Sequence, residues 1–239
     1  MSIEELEALL LVQERDTTLD QLRHRRASMP ERAELHTRRD ELLTREAAAS
    51  EIRRHRDAVL ADERRLDDEA RSVGAHADEA DKKLYSGSIT SPRELQALQA
   101  DVEMLRRHRS DLEDRELELM EQREALDAQL EALDAEIATT RDAVVRLEQM
   151  ITANEHEIDA DIAREEGARA EQGSAVPDSL LADYERRRAR NRGTGAGRLV
   201  GATCQACHLS IPSTEAERIR REAGNIVAYC DNCGAILVP

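Results

Sequence analysis

Leucine recurs every seven residues through the middle of the chain, at Leu98, Leu105, Leu112, Leu119, Leu126 and Leu133, and Leu147 resumes the series after Thr140. A second series, Leu95, Val102, Leu130, Ile137, Val144, Ile151 and Ile158, runs beside it and is interrupted by Arg109, Glu116 and Arg123. Positions spaced this way are the a and d sites of a heptad, and on a helix they form an apolar seam that requires a partner helix. An earlier segment supplies one. Leu66, Ala70, Val73, Ala77, Ala80 and Leu84 alternate in steps of four and three, and Ile52 and Val59 carry the pattern backwards. Earlier still, Ile3, Leu6, Leu10, Leu19 and Leu22 make a less regular stripe. The phase slips near Ser28-Met29-Pro30-Glu31, which reads as a kink or break where Ser28 is the N-cap of a new helix and Glu31 its N3 residue.

Between the two regular segments lies Leu84-Tyr-Ser-Gly-Ser-Ile-Thr-Ser-Pro-Arg-Glu94. Gly87 permits a backbone turn, and Ser91-Pro92-Arg93-Glu94 has the cap, the N1 proline and the N3 glutamate of a helix start. A turn near 85–92, midway along a helical region ending near 172, lets two arms of about 80 residues fold back on each other, each roughly 120 Å long. The expected architecture is mainly α: a long antiparallel coiled-coil hairpin over residues 1–172, then a small domain over 173–239. An intramolecular, monomeric hairpin is the preferred arrangement. An intermolecular coil using the same seams is the alternative, because heptads specify a partner but not its chain. Arg109, Glu116 and Arg123 are expected to snorkel or to pair across the seam; a weakened stretch that admits a partner helix is the sharper reading.

Composition agrees with long solvated helices. Charged residues make up 36% of the chain and aromatics 1%, with no Phe or Trp, so there is little of the aromatic bulk that fills a compact core. The net charge of −16 is uneven: residues 173–239 hold nine Arg against seven Asp and Glu, so the remainder carries the whole acidic excess. Acidic arms of this kind repel phosphates. A DNA-binding leucine zipper is excluded by the same count, since Asp62, Glu63, Asp67, Asp68 and Glu69 stand where a basic region would be needed. The sequence Met1-Ser2-Ile3-Glu4-Glu5 lacks the positive charge of a signal peptide, and no apolar run reaches the length of about 18 residues that spans a membrane. A cytoplasmic protein is expected, with no membrane partner.

In such a setting four cysteines suggest metal chemistry rather than disulfides. Cys204-Gln-Ala-Cys207 is followed after 22 residues by Cys230-Asp-Asn-Cys233. Each C-x-x-C places two thiolates on one tight knuckle, and two knuckles complete the tetrahedron that zinc prefers. Gly234 after the second pair allows backbone N–H groups to turn towards the sulfurs. Four-thiolate coordination leaves no position for a reacting water, so one structural Zn2+ held by Cys204, Cys207, Cys230 and Cys233 is expected. The rivals are an iron–sulfur cluster on the same thiolates and a c-type haem on Cys204-Gln-Ala-Cys207-His208, which leaves the second pair unexplained. His208 reads as a knuckle or surface residue. Strands are expected over 198–203, 225–229 and 235–238, and a helix over 214–222.

A short basic helix precedes the ribbon. Leu180-Leu-Ala-Asp-Tyr184 runs into Arg186, Arg187, Arg188, Arg190 and Arg192, then Gly193-Thr-Gly195-Ala-Gly197 and Arg198. These six arginines read either as favourable charge at a helix C-terminus followed by a solvated linker, or as a phosphate or acidic-partner patch. The glycines do not make a nucleotide loop, because Arg198 stands in the third glycine position and a strand follows. No nucleophile–base constellation stands out, so neither catalytic nor cofactor-binding residues are assigned and no enzyme activity is expected. The leading expectation is an adaptor that binds a protein partner through the coiled coil and the ribbon. The alternative is a nucleic-acid-binding ribbon using Arg186–Arg198, with weak, salt-sensitive binding.

The central stretch Leu84 to Gln99, the knuckle Cys204-x-x-Cys207-His208 and the closing Cys230-x-x-Cys233-Gly234-x-Ile-Leu237 together resemble a bacterial family over the whole chain. These are the C4-type zinc-ribbon proteins with a long N-terminal coiled-coil hairpin. The resemblance implies a non-enzymatic interaction protein and zinc-ligand roles for the four cysteines. It also implies a link to the sigma factor sigma-54, or another transcription component, and to flagellar gene expression; nucleic-acid binding has been proposed for such proteins too. This chain departs from the pattern at Ala206, where Gly is common, and at Ala235, where a basic residue is common.

Overall fold

The computed structural model describes residues 2–239. Five helices and four short strands follow in the order α1 (Ile3–Ala27), α2 (Pro30–Tyr85), α3 (Pro92–Gly173), α4 (Asp178–Arg190), β1 (Ala196–Val200), β2 (Thr203–Cys204), α5 (Ser213–Arg221), β3 (Ala228–Tyr229) and β4 (Ile236–Val238). They pack as two compact units. One holds residues 35–146; the other joins 1–34 to 147–239.

In the unit of residues 35–146, α2 and α3 form the antiparallel hairpin expected from the heptads. Val102, Leu112, Leu130, Ile137 and Val144 are buried on α3, opposite Ala49, Val59, Leu66, Ala70 and Ala77 on α2. Leu130 and Ile137 pack on Ala49, and Leu112 packs on Leu66 and Ala70. Burying an aliphatic side chain of this size contributes about 1.5–3 kcal/mol, so the seam is the main source of cohesion. Flanking ion pairs trace its register. As the α2 partner advances through Arg45, Arg53, Glu63 and Asp81, the α3 partner retreats through Glu136, Asp134, Arg123 and Arg106. At the end of the hairpin Gly87 takes φ +72, and Ser86 donates its hydroxyl to the Lys83 carbonyl at 2.8 Å. Of the polar a positions, Arg123 pairs across the seam with Glu63 at 2.8 Å. Arg109 instead pairs with Glu113 on its own helix, and buried Gly74 leaves room for it: a Cβ there would stand 3.4 Å from Arg109 Cδ.

The second unit changes the picture given by the sequence. Although it is the first helix of the chain, α1 packs with the ribbon. Leu6, Leu9 and Val12 share one apolar core with Val176, Leu180 and Tyr184 and with Ala196, Ile236 and Val238 of the sheet. The early stripe is irregular because α1 serves two neighbours. One flank bonds to α3 through Arg15–Glu165 and Arg26–Asp159; the other lies on β1 and β4. Ser2 caps α1 in a full capping box with Glu5.

Two local expectations are corrected. The break near residue 28 is present, but Ser28 does not cap α2. It ends α1, with its hydroxyl donating to the His24 carbonyl at 2.7 Å. With Pro30 as the first residue of α2, the cap position falls on Met29, which is buried. The stretch 193–197 is not a solvated linker, since β1 begins at Ala196 and residues 195–197 are buried. A Cβ at Gly195 would lie 2.6 Å from the Tyr184 ring and one at Gly197 would lie 2.8 Å from the Ala206 Cβ. Glycine is required at both positions for this close approach.

Candidate metal centre

The four strands form one sheet in the order β2-β1-β4-β3, with β1 and β4 parallel and the outer pairs antiparallel. One face covers the core with α1. The other buries Leu199, Ile211, Ala216, Ile219, Ala228 and Leu237 around Cys204 and Cys230. The sheet has few residues and its core is small, so it cannot support itself without further cross-links.

Two knuckles of matching geometry supply them. Cys204 begins the first and Cys230 the second. His208 donates its backbone N–H to the Cys204 carbonyl at 2.8 Å, and Gly234 does the same to Cys230 at 2.7 Å. His208 (φ +59) and Gly234 (φ +72) both adopt the left-handed conformation. Each turn is closed outward by one more bond, from Cys204 N to the Leu209 carbonyl and from Cys230 N to the Ala235 carbonyl. His208 is thus a knuckle residue, exposed and outside the ligand cluster.

The four sulfurs lie within 4.8 Å of one another. Cys207 Sγ and Cys230 Sγ are 3.8 Å apart, close to the tetrahedral edge of about 3.8 Å that Zn–S bonds of about 2.3 Å impose. Backbone N–H groups of Ala206 and Cys207 point to the Cys204 sulfur, and those of Asn232 and Cys233 point to the Cys230 sulfur. Burial pushes the Cys233 thiol up to about 12 and also raises Cys204. Burial opposes ionisation at Cys230 as well, but the N–H groups of Cys233 and Asn232, together with the Cys233 and Cys204 thiols, outweigh it and hold that thiol below its ordinary value. Four thiolates crowded this closely need a compensating cation. The donor set and spacing fit one structural zinc ion, which would cross-link the two knuckles with no coordination position left open.

The six arginines near this centre do not form one patch. Arg186 and Arg187 both bond to Asp183, at 3.0 and 2.8 Å. Together they hold the Asp183 carboxyl below the usual range, outweighing the opposing effect of burial. Arg187 also donates to the Gly234 carbonyl and lies 3.7 Å over the Tyr229 ring. Arg188 bonds to Asp20 at 2.6 Å, and Arg198 to Glu7 at 3.1 Å. Arg190 and Arg192 alone of the six make no hydrogen bond or ion pair among the described residues. They flank a cleft of about 300 Å³ beside Cys207 and Cys233.

Sequence reasoning missed the polar residues that tie this assembly to α1. Gln13 accepts the Gly195 N–H at 2.7 Å and donates to the Gly193 carbonyl at 3.0 Å, acting as a side-chain partner for the start of β1. Asp16 accepts the Tyr184 hydroxyl and Arg169 Nε, each at 2.7 Å. Both side chains are nearly fully buried. A signal was present: Gln13 and Asp16 continue the helical spacing of Leu6 and Leu9, so polar residues stand within the apolar face of α1.

The comparisons with known proteins recover the hairpin and the ribbon as two successive domains. A CT398-like coiled coil hairpin domain is matched over residues 12–192, and a C4-type zinc ribbon domain over residues 203–237. An uncharacterized protein of Mycobacterium tuberculosis is 29% identical over 238 residues, covering 97% of this chain and 94% of the relative. A solved structure from Mycobacterium smegmatis is 27% identical with a TM-score of 0.71, covering 100% of this chain and 99% of that one. The structure of CT398 from Chlamydia trachomatis shares the fold at 16% identity and a TM-score of 0.68, covering 98% and 97% of the two chains. With its heptad arms and its four-cysteine centre accounted for, this chain belongs to the family of proteins built on a CT398-like coiled coil hairpin domain, here ending in a C4-type zinc ribbon.

Proposed function

We propose that this protein is a non-enzymatic cytoplasmic adaptor that binds a protein partner through its acidic coiled arms and its zinc ribbon. The observation that carries the reading is where the charges go. Of the six arginines that would serve a phosphate patch, Arg186, Arg187, Arg188 and Arg198 are engaged with Asp183, Asp20 and Glu7 inside the chain. The arms keep their acidic excess and also present large apolar side chains. Leu43, Met104 and Leu117 are each more than half exposed, at 65%, 58% and 57%. Apolar side chains among like charges suit a protein surface better than a polyanion. By family resemblance, a transcription component such as a sigma factor is the partner class to test first.

Affinity capture of the tagged full chain from its native cells, with and without nuclease, tests the reading. The expected result is a stoichiometric protein partner retained after nuclease treatment. Recovery of nucleic acid alone, or loss of every protein on nuclease treatment, would favour the ribbon as a nucleic-acid binder instead.

A further inference from the structure

Resting on that reading, we propose that the cleft between Arg190 and Arg192 and the zinc knuckles is the docking site for an acidic segment of the protein partner, with an Asp or Glu carboxylate seated between the two guanidinium groups. The cleft is lined by Arg190, Arg192 and Thr194 on one side and by Ala206, Cys207 and Cys233 on the other. Its floor is fixed, because Asn191 donates its side-chain amide to the Cys233 carbonyl at 2.7 Å. Both arginines are exposed and carry no intramolecular partner among the described residues, unlike the four neighbours that share their segment.

Arg192 carries a second, independent mark. Helix α4 ends at Arg190 with Asn191 as its cap, and Gly193 donates its N–H to the Arg188 carbonyl at 3.0 Å, the closure of a Schellman turn. Arg192 is therefore the residue after the cap and takes φ +53. Glycine is the favoured occupant of that position, since a Cβ is strained there. Keeping an arginine against the local backbone preference aims a guanidinium at the cleft where a glycine would make the better helix end.

The surroundings select a short carboxylate-bearing segment over a nucleic acid. A zinc ion with four thiolates carries net negative charge, the chain as a whole carries −16, and repulsion grows with the number of phosphates presented. Among the described residues no tyrosine lines the cleft: Tyr184 is buried, and Tyr229 has Arg187 over its ring. A carboxylate between two guanidinium groups needs neither stacking nor a long contact track.

The test is fluorescence anisotropy on the full-length, zinc-loaded chain. Three probes are used: a fluorescein-labelled dodecapeptide of alternating Glu and Ala, its Gln and Ala counterpart, and a single-stranded dodecamer of thymidine. The Glu peptide should bind more tightly than the other two. Arg192→Gly with Arg190→Gln should weaken it by at least about tenfold, the scale of lost charge-assisted hydrogen bonds. Arg192→Gly should leave zinc content unchanged and the melting temperature equal or higher, so misfolding cannot imitate the loss. Arg221→Gln, an exposed arginine outside the cleft, should change affinity by less than about twofold. The proposal falls if the cleft variants bind like the parent, if Arg221→Gln loses as much, or if the thymidine strand binds best. Capture of the native partner undiminished by the cleft variants would refute the cleft while leaving the adaptor reading standing. Failure of the parent chain to capture any protein would refute the adaptor reading, whatever the peptide result.

Discussion

Removing the Asp16 carboxylate should uncouple α1 from the ribbon, and its cost follows from what each partner loses. Asp16 is 4% exposed and Tyr184 is 0% exposed. In Asp16→Ala the Tyr184 hydroxyl loses its hydrogen-bond acceptor and stays buried, a penalty of about 1–3 kcal/mol. Arg169 keeps Glu185 and Arg188 keeps Asp20, so neither cation is stranded. Adding about 1.5 kcal/mol for the lost charge-assisted bond from Arg169, the total should be about 3 kcal/mol. Asp16→Asn retains the shape and one acceptor and should cost about half as much. Urea denaturation followed by zinc release to a colour indicator reads this unit, and far-UV dichroism reads the helices. With a slope of about 2 kcal/mol per molar, the alanine variant should move the zinc-release midpoint down by roughly 1.5 M. Tyr184→Phe supplies the internal control, because it removes the hydroxyl that Asp16→Ala orphans. The double variant should cost at least about 1 kcal/mol less than the sum of the singles. A cost below about 1 kcal/mol for Asp16→Ala, or strict additivity with Tyr184→Phe, would mean that the buried network does not hold α1 in place.

Three further outcomes follow from the same geometry. Chelating the metal, or Cys230→Ser, should remove hydrogen-exchange protection from the strands and also from residues 6–12, whose core the sheet completes, while residues 35–146 keep theirs; unchanged protection at 6–12 would show that α1 does not depend on the ribbon. Burial, then the hydrogen bond and charge of Asp16, raise the Tyr184 pKa above its ordinary value of about 10. The folded state thus favours the protonated phenol, and this contribution is complete below about pH 10 and is lost as pH rises through the folded value. Ultraviolet titration should show one of the three tyrosines ionising only as the ribbon unit unfolds, and Tyr184→Phe should abolish that late step; three phenols ionising in the folded chain would contradict it. His208→Gly should stabilise the zinc-loaded fold by about 0.5–1 kcal/mol, since His208 occupies the left-handed position that Gly234 fills in the other knuckle. A drop in melting temperature would show that the imidazole makes a contribution beyond the backbone.

The sequence by itself determined the local and repetitive parts of this protein. Heptad spacing over 95–158 names a seam because each helical turn repeats the same geometry, and Gly87 with Ser91-Pro92 marks the turn because glycine frees the backbone and proline restricts it wherever they occur. The cysteine ligands were legible for the same reason: a C-x-x-C knuckle is a local shape, and two of them exhaust a tetrahedron. Tertiary structure alone decided what α1 does. Its apolar stripe packs on α4 and the ribbon sheet while its charged flank pairs with α3, so a heptad does not describe it. Nor could the segment 186–198 show which arginines are free. That depends on Asp20 and Glu7, which lie more than a hundred residues away in sequence and reach Arg188 and Arg198 only after α1 docks. Charge pairing and burial depend on distances in space, and long-range distances are set only when the whole chain has packed.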